Sequence, residues 1–149
     1  MSQPDQRARL RPGALVPAVL GLAFAIYLTV EHYTPSTTLA CPESATVNCQ
    51  KVTTSSYSHV LGIPVALLGA VYFVVMTVLV LPPAWRAGPL RPVRLLGAVV
   101  GMISVLYLVW AELFQIGAIC LYCTAVHVCT LALFGGVLWY SIGTPDTEA

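Results

Sequence analysis

The chain has 149 residues, of which 58% are hydrophobic and only 9% are charged. A single soluble domain of this length could not bury so many apolar side chains, so the composition predicts an integral membrane protein, with the lipid bilayer as its first partner. The net charge of +1 and the lack of a long basic run exclude nucleic acid as a partner.

Four apolar runs predict four transmembrane helices, at residues 13–31, 61–81, 93–114 and 119–140. At a rise of about 1.5 Å per residue, runs of this length reach across a bilayer. Pro82 and Pro83 end the second run, and a turn at Gln115 to Gly117 separates the third from the fourth. We therefore expect one all-α domain over residues 1–149, a four-helix bundle with a cysteine-bearing outer loop at residues 32–60. Within that loop, a short surface helix is expected between Lys51 and Val60.

The arginines predict the orientation of this bundle. Six of the seven basic residues lie in the N-terminal tail and the second loop, which four spans place on the same side: Arg7, Arg9, Arg11, Arg86, Arg91 and Arg94. The positive-inside rule makes that side cytoplasmic. The first loop and the start of the fourth helix then lie on the outer face, in an oxidising bacterial compartment or the corresponding eukaryotic lumen.

Four of the five cysteines form two local pairs, Cys41 with Cys49 and Cys120 with Cys123. Cysteines three residues apart on a helix project from nearly one side, close enough for a disulfide, and the start of a helix favours the reactive thiolate. The loop between Cys41 and Cys49 is also easily closed by a disulfide. Two pairs on one face can exchange electrons, which predicts a redox relay. Cys129, deep in an apolar run, is expected to be a small core residue.

Two other interpretations of the cysteines stay open. Both pairs could be static disulfides that staple a small bundle, or four thiolates with His32, His59 or His127 could bind zinc. An oxidising compartment disfavours four reduced thiols, so no metal site is expected.

Two ionisable side chains lie within the predicted spans. His127 falls one turn after Cys123 on the same helix face and is either a functional group or a hydrogen-bonded bundle histidine. Glu112, near the outer end of the third helix, is expected to be a structural carboxylate that snorkels to the surface. A role for Glu112 as a proton acceptor stays open.

These features resemble the vitamin K epoxide reductase family in its bacterial form, which implies a multi-pass protein of the bacterial inner membrane with its active site on the outer face. The resemblance spans residues 13–140, and the order of its elements is more specific than any one of them. Its elements are Cys41, Cys49, Val52, Ser55, Tyr57, Gly62-Ile63-Pro64-Val65, Gly69 and Cys120-Leu121-Tyr122-Cys123.

The resemblance implies a bundle around a quinone of the menaquinone, ubiquinone or vitamin K type. Cys120 and Cys123 would be the active-site pair, and Cys41 and Cys49 the shuttle pair. The quinone-facing residues would be Cys123, His127, Ser55, Tyr57 and Val65. In this set Tyr57 replaces a frequent tryptophan, and His127 and Val65 stand where vertebrate members have tyrosine and asparagine. Because Cys123 lies about 4.5 Å deeper along the helix than Cys120, we expect Cys123 to face the quinone and an exposed Cys120 to meet the loop cysteines.

Many bacterial members carry a fused thioredoxin-like domain, whereas this sequence continues for 26 residues after Cys123. A separate thioredoxin-fold, DsbA-like partner is therefore expected.

The expected function is quinone-dependent thiol oxidation that supports disulfide formation, with electrons passing from that partner through the loop pair and the active-site pair to a quinone. One alternative is a DsbB-like oxidase, in which the order of the two cysteine pairs is reversed. The other is a non-enzymatic metal-binding or structural membrane protein.

Overall fold

The computed structural model of the protein describes residues 12–34 and 41–142. These residues are mainly helical, and the tail arginines Arg7, Arg9 and Arg11 lie outside them. The α-helices in chain order are α1 (Pro12–Tyr33), α2 (Cys49–Thr53), α3 (Val65–Val80), α4 (Pro82–Arg86), α5 (Leu90–Trp110) and α6 (Leu121–Ile142). A 3-10 turn (Ser56–Ser58), two short strands, β1 (His59–Val60) and β2 (Ile63–Pro64), and a π-helix (Ala111–Ile116) complete the described elements.

Three stretches of helix are long and apolar enough to span a membrane, namely Gly13–Tyr33, Leu90–Ile116 and Leu121–Ile142. They turn large apolar side chains outward, as Leu96, Ile103 and Trp139 show with exposed fractions of 65%, 61% and 72%. Side chains of this kind suit a lipid environment and not water. Both observations support the prediction of a membrane protein. Helix α3 is also apolar but has only 16 residues, a rise of about 24 Å.

The predicted start of the second helix, at residue 61, is wrong by four residues. Strands β1 and β2 pair as an antiparallel hairpin, with Val60 opposite Ile63. Leu61 and Gly62 form its turn with φ angles of +54° and +81°, which is the left-handed conformation that tight two-residue hairpins require. A helix cannot continue through such residues, so α3 begins only at Val65.

The short helix of the outer loop also lies earlier than predicted. Helix α2 begins at Cys49 because the side chain of Asn48 accepts a hydrogen bond of 2.8 Å from the backbone N–H of Lys51. This is the usual N-cap arrangement. The helix ends at Thr53, whose hydroxyl donates to the carbonyl of Cys49 at 2.9 Å. The Lys51–Val60 helix of the sequence interpretation is therefore replaced by α2 and the 3-10 turn.

The division between the third and fourth helices is confirmed at Gly117. Helix α5 passes into the π-helix, and the N–H of Gly117 donates to the carbonyl of Glu112 at 2.9 Å. Gly117 has a φ of +65°, the left-handed conformation in which helices commonly end on glycine. Helix α5 starts at Leu90 rather than residue 93, since Pro92 is tolerated in its first turn. Helix α6 starts at Leu121 rather than residue 119, because Ile119 pairs with the outer loop.

Helix α1 is the centre of the bundle and makes extensive contacts with both α3 and α6. Its small residues permit this approach, since Ala18 is fully buried and a side chain at Gly21 would overlap the ring of Phe73. Helix α5 packs well on α6 but touches α3 much less. The weak contact between α3 and α5 leaves space inside the bundle.

The arginines of the second loop lie at the end of the bundle opposite the cysteines. Arg91 donates to the carbonyl of Ser141, near the end of α6, at 2.9 Å. Arg94 lies inside the first turns of α5, is buried, and stacks 3.8 Å from the centre of the Trp85 ring. The rings of Trp85 and Tyr140 meet edge to face. Cation–π and hydrogen-bond contacts therefore tie α4, α5 and α6 together at this end.

Gly136 and Gly135 offer a test of the α1–α6 contact. A side chain at Gly136 would begin 3.0 Å from the carbonyl oxygen of Gly13 and 3.3 Å from Ala14, whereas Gly135 has nothing within 4 Å. Gly136→Leu is therefore expected to be less stable than Gly135→Leu by about 1–3 kcal/mol, because the larger residue forces two backbones apart. Thermal unfolding in detergent measures the difference, and helix propensity cancels between the two variants. Equal midpoints would show that α1 and α6 are not in close contact here.

Candidate functional site

A cavity of about 660 Å³ lies between α1, α3, α5 and α6, with the 3-10 turn and the hairpin at one end. Its volume is that of a typical small-molecule site. Most of its wall is apolar, with Leu28, Phe73, Val105 and Val126 among the contributors. The polar or ionisable side chains on the wall include His32, Ser55, Tyr57, Tyr72, Glu112, Cys123, His127 and Thr130. The cavity therefore combines an apolar wall with a small number of reactive or hydrogen-bonding groups.

The outer loop carries the Cys41–Cys49 disulfide to the start of α6. Cys41 and Cys49 are bonded to each other, as the spacing predicts. The N–H of Asn48 donates to the carbonyl of Ile119 at 3.1 Å, and the N–H of Ile119 donates to the carbonyl of Thr46 at 2.9 Å. These two bonds form a short parallel bridge between the residues just before Cys49 and the residue just before Cys120.

The two cysteine pairs predicted from the sequence consequently meet in one buried cluster. Cys49 and Cys120 are exposed by only 1% and 0%, and pack together with Leu28, Val52 and Ala118. Cys41 and Cys123 lie at the border of the same cluster and are partly buried. This is the juxtaposition that electron exchange between pairs requires.

Cys120 immediately precedes α6, and Cys123 lies in its first turn as a free thiol. The backbone N–H of Cys123 donates to the sulfur of Cys120 at 3.3 Å. The pKa of Cys120 is lowered from that of an ordinary thiol, chiefly because the Cys123 thiol donates a hydrogen bond to its sulfur. The direction agrees with the prediction of a favoured thiolate at the helix start, although Cys120 precedes the first helical turn.

The expected exposure of Cys120 is wrong. Its side chain is fully buried and is not part of the cavity wall, whereas Cys123 is on that wall. The reason is that Cys120 packs in a buried cluster with Cys49 and Val52 of the outer loop and Leu28 of α1. The aromatic side chain between the two cysteines, Tyr122, packs 4.9 Å from the ring of Tyr27 on α1 and so fixes the first turn of α6.

The other residues proposed to face a quinone all lie on the cavity wall: Ser55, Tyr57, Val65 and His127. The hydroxyl of Ser55 donates to the carbonyl of Val52 at 2.8 Å. Tyr57 donates to the side-chain oxygen of Gln115 at 3.3 Å, which joins the outer loop to the π-helix. His127 is 6% exposed and lies one turn below Cys123.

The snorkelling interpretation of Glu112 is wrong. Its side chain is only 6% exposed, lies on the cavity wall and accepts a hydrogen bond from the backbone N–H of Cys120. The π-helix extends the helical stretch as far as Ile116, so Glu112 lies a full turn inside it. Its position as an ionisable residue within a predicted span is the signal that pointed to a functional role.

Tyr72 is a cavity residue that the sequence did not indicate. Its hydroxyl is buried beside Gly101 and has no hydrogen-bond partner among the described residues. A buried hydroxyl without a partner is uncommon and suits a ligand oxygen. No motif marks this tyrosine, since only the folding of α3 against α5 brings it to the cavity.

The zinc interpretation has little support from the geometry. Within residues 12–34 and 41–142, no three His, Cys, Asp or Glu side chains lie close enough together to hold a metal ion. The rings of His32 and His59 do approach to 5.1 Å, but a zinc site needs further ligands.

Comparison with known proteins assigns the chain to a family. The chain matches none of the curated proteins with which it was compared. The family model described as "Vitamin K epoxide reductase family" matches residues 14–138, which include both cysteine pairs and every residue named on the cavity wall. The match thus covers most of the chain, and the chain belongs to the vitamin K epoxide reductase family.

Proposed function

We propose that this chain is a membrane thiol oxidase that passes electrons from a secreted thioredoxin-fold protein to a membrane quinone. Family membership implies oxidoreductase activity in general. The observation that carries the proposal is the position of the Cys120–Cys123 pair between two partners. Cys123 borders a largely apolar cavity, while Cys120 shares a buried cluster with the cysteine pair of the outer loop.

The burial of the four cysteines supports an order of disulfide exchanges. Cys41 is partly exposed and Cys49 is buried, so a thiolate of the soluble partner reaches Cys41 and releases Cys49. The Cys49 thiolate then attacks an oxidised Cys120–Cys123 pair at Cys120 and releases Cys123. The second partner thiol frees Cys41, which closes the loop disulfide again and releases Cys120. Each exchange forms one S–S bond and breaks one, and its net result is an oxidised partner and a reduced active-site pair.

The cavity fits a quinone in size and chemistry. The apolar wall suits the ring and the start of an isoprenoid tail, and Cys123, His127 and Tyr72 supply groups for the ring oxygens. We include Ser55, Tyr57 and Val65 among the residues that hold the ring at the outer end of the cavity. When bound, a quinone of the menaquinone, ubiquinone or vitamin K type accepts two electrons and two protons.

We further propose that α3 is the fourth span and that the cysteines lie on the outer face of a bacterial inner membrane. Arg86, Arg91 and Arg94 cluster at the other end of the bundle. The helical stretch Leu90–Ile116 has 27 residues and rises about 40 Å between the two ends. By the positive-inside rule the arginine end is cytoplasmic.

The test uses membrane vesicles of both orientations that contain the protein. A reduced thioredoxin-fold protein, which does not cross membranes, is added with a ubiquinone, a menaquinone or vitamin K, and loss of free thiols is followed together with quinone absorbance. We expect quinone-dependent oxidation in right-side-out vesicles and very little in inside-out vesicles. Activity only in inside-out vesicles would contradict the orientation, and no oxidation in either with any quinone would contradict the function.

A further inference from the structure

We propose that Glu112 is the proton acceptor for the Cys120–Cys123 pair when that pair is oxidised. The inference rests on the proposed function, because it concerns the step in which the reduced pair gives its electrons to a quinone. It assigns to Glu112 the proton-acceptor role that the sequence left open, on the basis of its position on the cavity wall.

The position of Glu112 is the first argument. Among the described residues of the cavity wall, Glu112 is the only carboxylate, and it shares that wall with Cys123. Its side chain also accepts the backbone N–H of Cys120 and lies within electrostatic range of both sulfurs. One carboxylate therefore contacts the backbone of Cys120 and shares the cavity wall with Cys123.

The backbone holds this carboxylate in place. The carbonyl of Glu112 accepts hydrogen bonds from the N–H groups of Gly117, at 2.9 Å, and Ala118, at 3.3 Å. The chain between Glu112 and Cys120 is thereby closed into a fixed turn. π-Helical turns of this kind are frequent at functional sites, and here the turn brings a helix residue back to a cysteine eight positions further along.

The chemistry of the step requires such a group. Cys120 enters this step as the thiolate that the preceding exchange releases, so closing the S–S bond gives up two electrons and the one proton of the Cys123 thiol. A bound quinone would take up these and one further proton, which the partner's thiols gave up to water in that exchange. Cys120 is fully buried and Cys123 is only partly exposed, so bulk water has little access to the pair. Glu112 would receive the proton of the Cys123 thiol at a carboxylate oxygen as the S–S bond forms. That proton leaves with the quinol, so the carboxylate is ready for the next cycle.

Other titratable groups share the cavity and could compete for this role: His32, Tyr57, Tyr72, Tyr107 and His127. The tyrosines are weak proton acceptors near neutral pH. His127 lies a turn further into the membrane, on the side where the ring would bind. Only Glu112 has a hydrogen bond to the backbone of the active-site pair among these groups.

The test compares Glu112→Gln and Glu112→Ala with Glu43→Gln, which removes an exposed carboxylate of the same outer face. Glutamine keeps an oxygen that can accept the N–H of Cys120 but cannot take up a proton. Glu112→Gln is expected to slow quinone-dependent oxidation about 100-fold, the usual scale for loss of a general base. Glu43→Gln is expected to leave the rate unchanged, and thermal unfolding in detergent shows that each variant is folded.

A second readout needs no quinone. In the reduced protein, the ultraviolet absorbance of thiolate is followed against pH. The negative charge of Glu112 opposes ionisation of Cys120, so Glu112→Gln is expected to lower the pKa of that thiol and thiolate absorbance should appear at lower pH than in the wild type. Glu43→Gln should leave the titration unmoved.

The outcomes separate this inference from the proposed function. Wild-type protein that reduces no quinone would overturn the proposed function and this inference with it. Active wild type with an equally active Glu112→Gln variant would overturn the inference alone. Loss of activity in Glu112→Ala with full activity in Glu112→Gln would show that the oxygen only positions Cys120. A slow Glu112→Gln variant with a shifted thiolate titration supports a proton-accepting role.

Discussion

Cys123→Ala is expected to abolish quinone-dependent oxidation of a reduced thioredoxin-fold protein, with a loss of at least about 10³-fold, the scale on which enzymes lose activity with their nucleophile. The reason is that Cys123 is the only cysteine on the cavity wall within the described part of the chain. Without it the loop pair has no disulfide to reduce. The measurement is the initial rate of free-thiol loss with excess quinone.

Cys129 supplies a matched control on the same helix. It lies two turns of α6 from Cys123 toward the other end of the bundle, is 8% exposed and packs in the core cluster away from the cavity wall. Cys129→Ala removes one buried sulfur and is expected to lower stability slightly while leaving the rate within about twofold of wild type, as expected of a core cysteine that is not reactive. Equal losses in the two variants would indicate that the helix, and not the thiol at Cys123, is what matters.

The second large effect is a trapped bond between the two pairs. In the double variant Cys41→Ala, Cys123→Ala, we expect Cys49 and Cys120 to form a stable disulfide in most molecules after mild oxidation. Both sulfurs lie in the same buried cluster, and neither resolving thiol remains to break the bond. Peptide mapping by mass spectrometry, with and without reductant, identifies the linked pair.

The complementary double variant tests the choice of cysteine. Cys49→Ala, Cys123→Ala leaves Cys41 opposite Cys120, and we expect a much lower yield of the cross-link under the same oxidation. Cys41 lies at the border of the cluster and is not held by the backbone bridge that precedes Cys49. If Cys41 joined Cys120 as readily as Cys49 does, the assignment of Cys49 as the cysteine that attacks Cys120 would be contradicted.

The approximate positions of the long helices could be predicted from the sequence because apolar runs, prolines and glycines act locally. Pro82 and Gly117 end helical stretches where they were expected to do so. The hairpin before α3 was missed since its turn uses Leu61, an unusual residue for a left-handed conformation, beside Gly62. A run of apolar residues cannot by itself distinguish such a turn from the first turn of a helix.

The site could be predicted only where reactive residues lie close together in the sequence or match the family resemblance. The Cys-x-x-Cys motif and the loop pair could be recognised directly, and the family resemblance supplied Ser55, Tyr57 and His127. The burial of Cys120 and the role of Glu112 depend on contacts between segments far apart in the chain. The bridge at Ile119 joins residues more than seventy positions apart, and no local pattern in Thr46 or Asn48 indicates their partner.

The same bridge has a kinetic consequence. Because residues 46–48 are hydrogen-bonded to the strand-like segment before Cys120, the loop pair is tethered at a high effective concentration next to the active-site pair. In the proposed cycle, exchange between the pairs is then a unimolecular event whose rate is independent of how much protein or partner is present. The concentration dependence of the proposed turnover would come instead from the encounters of the bundle with the soluble thiol protein and with the quinone in the lipid.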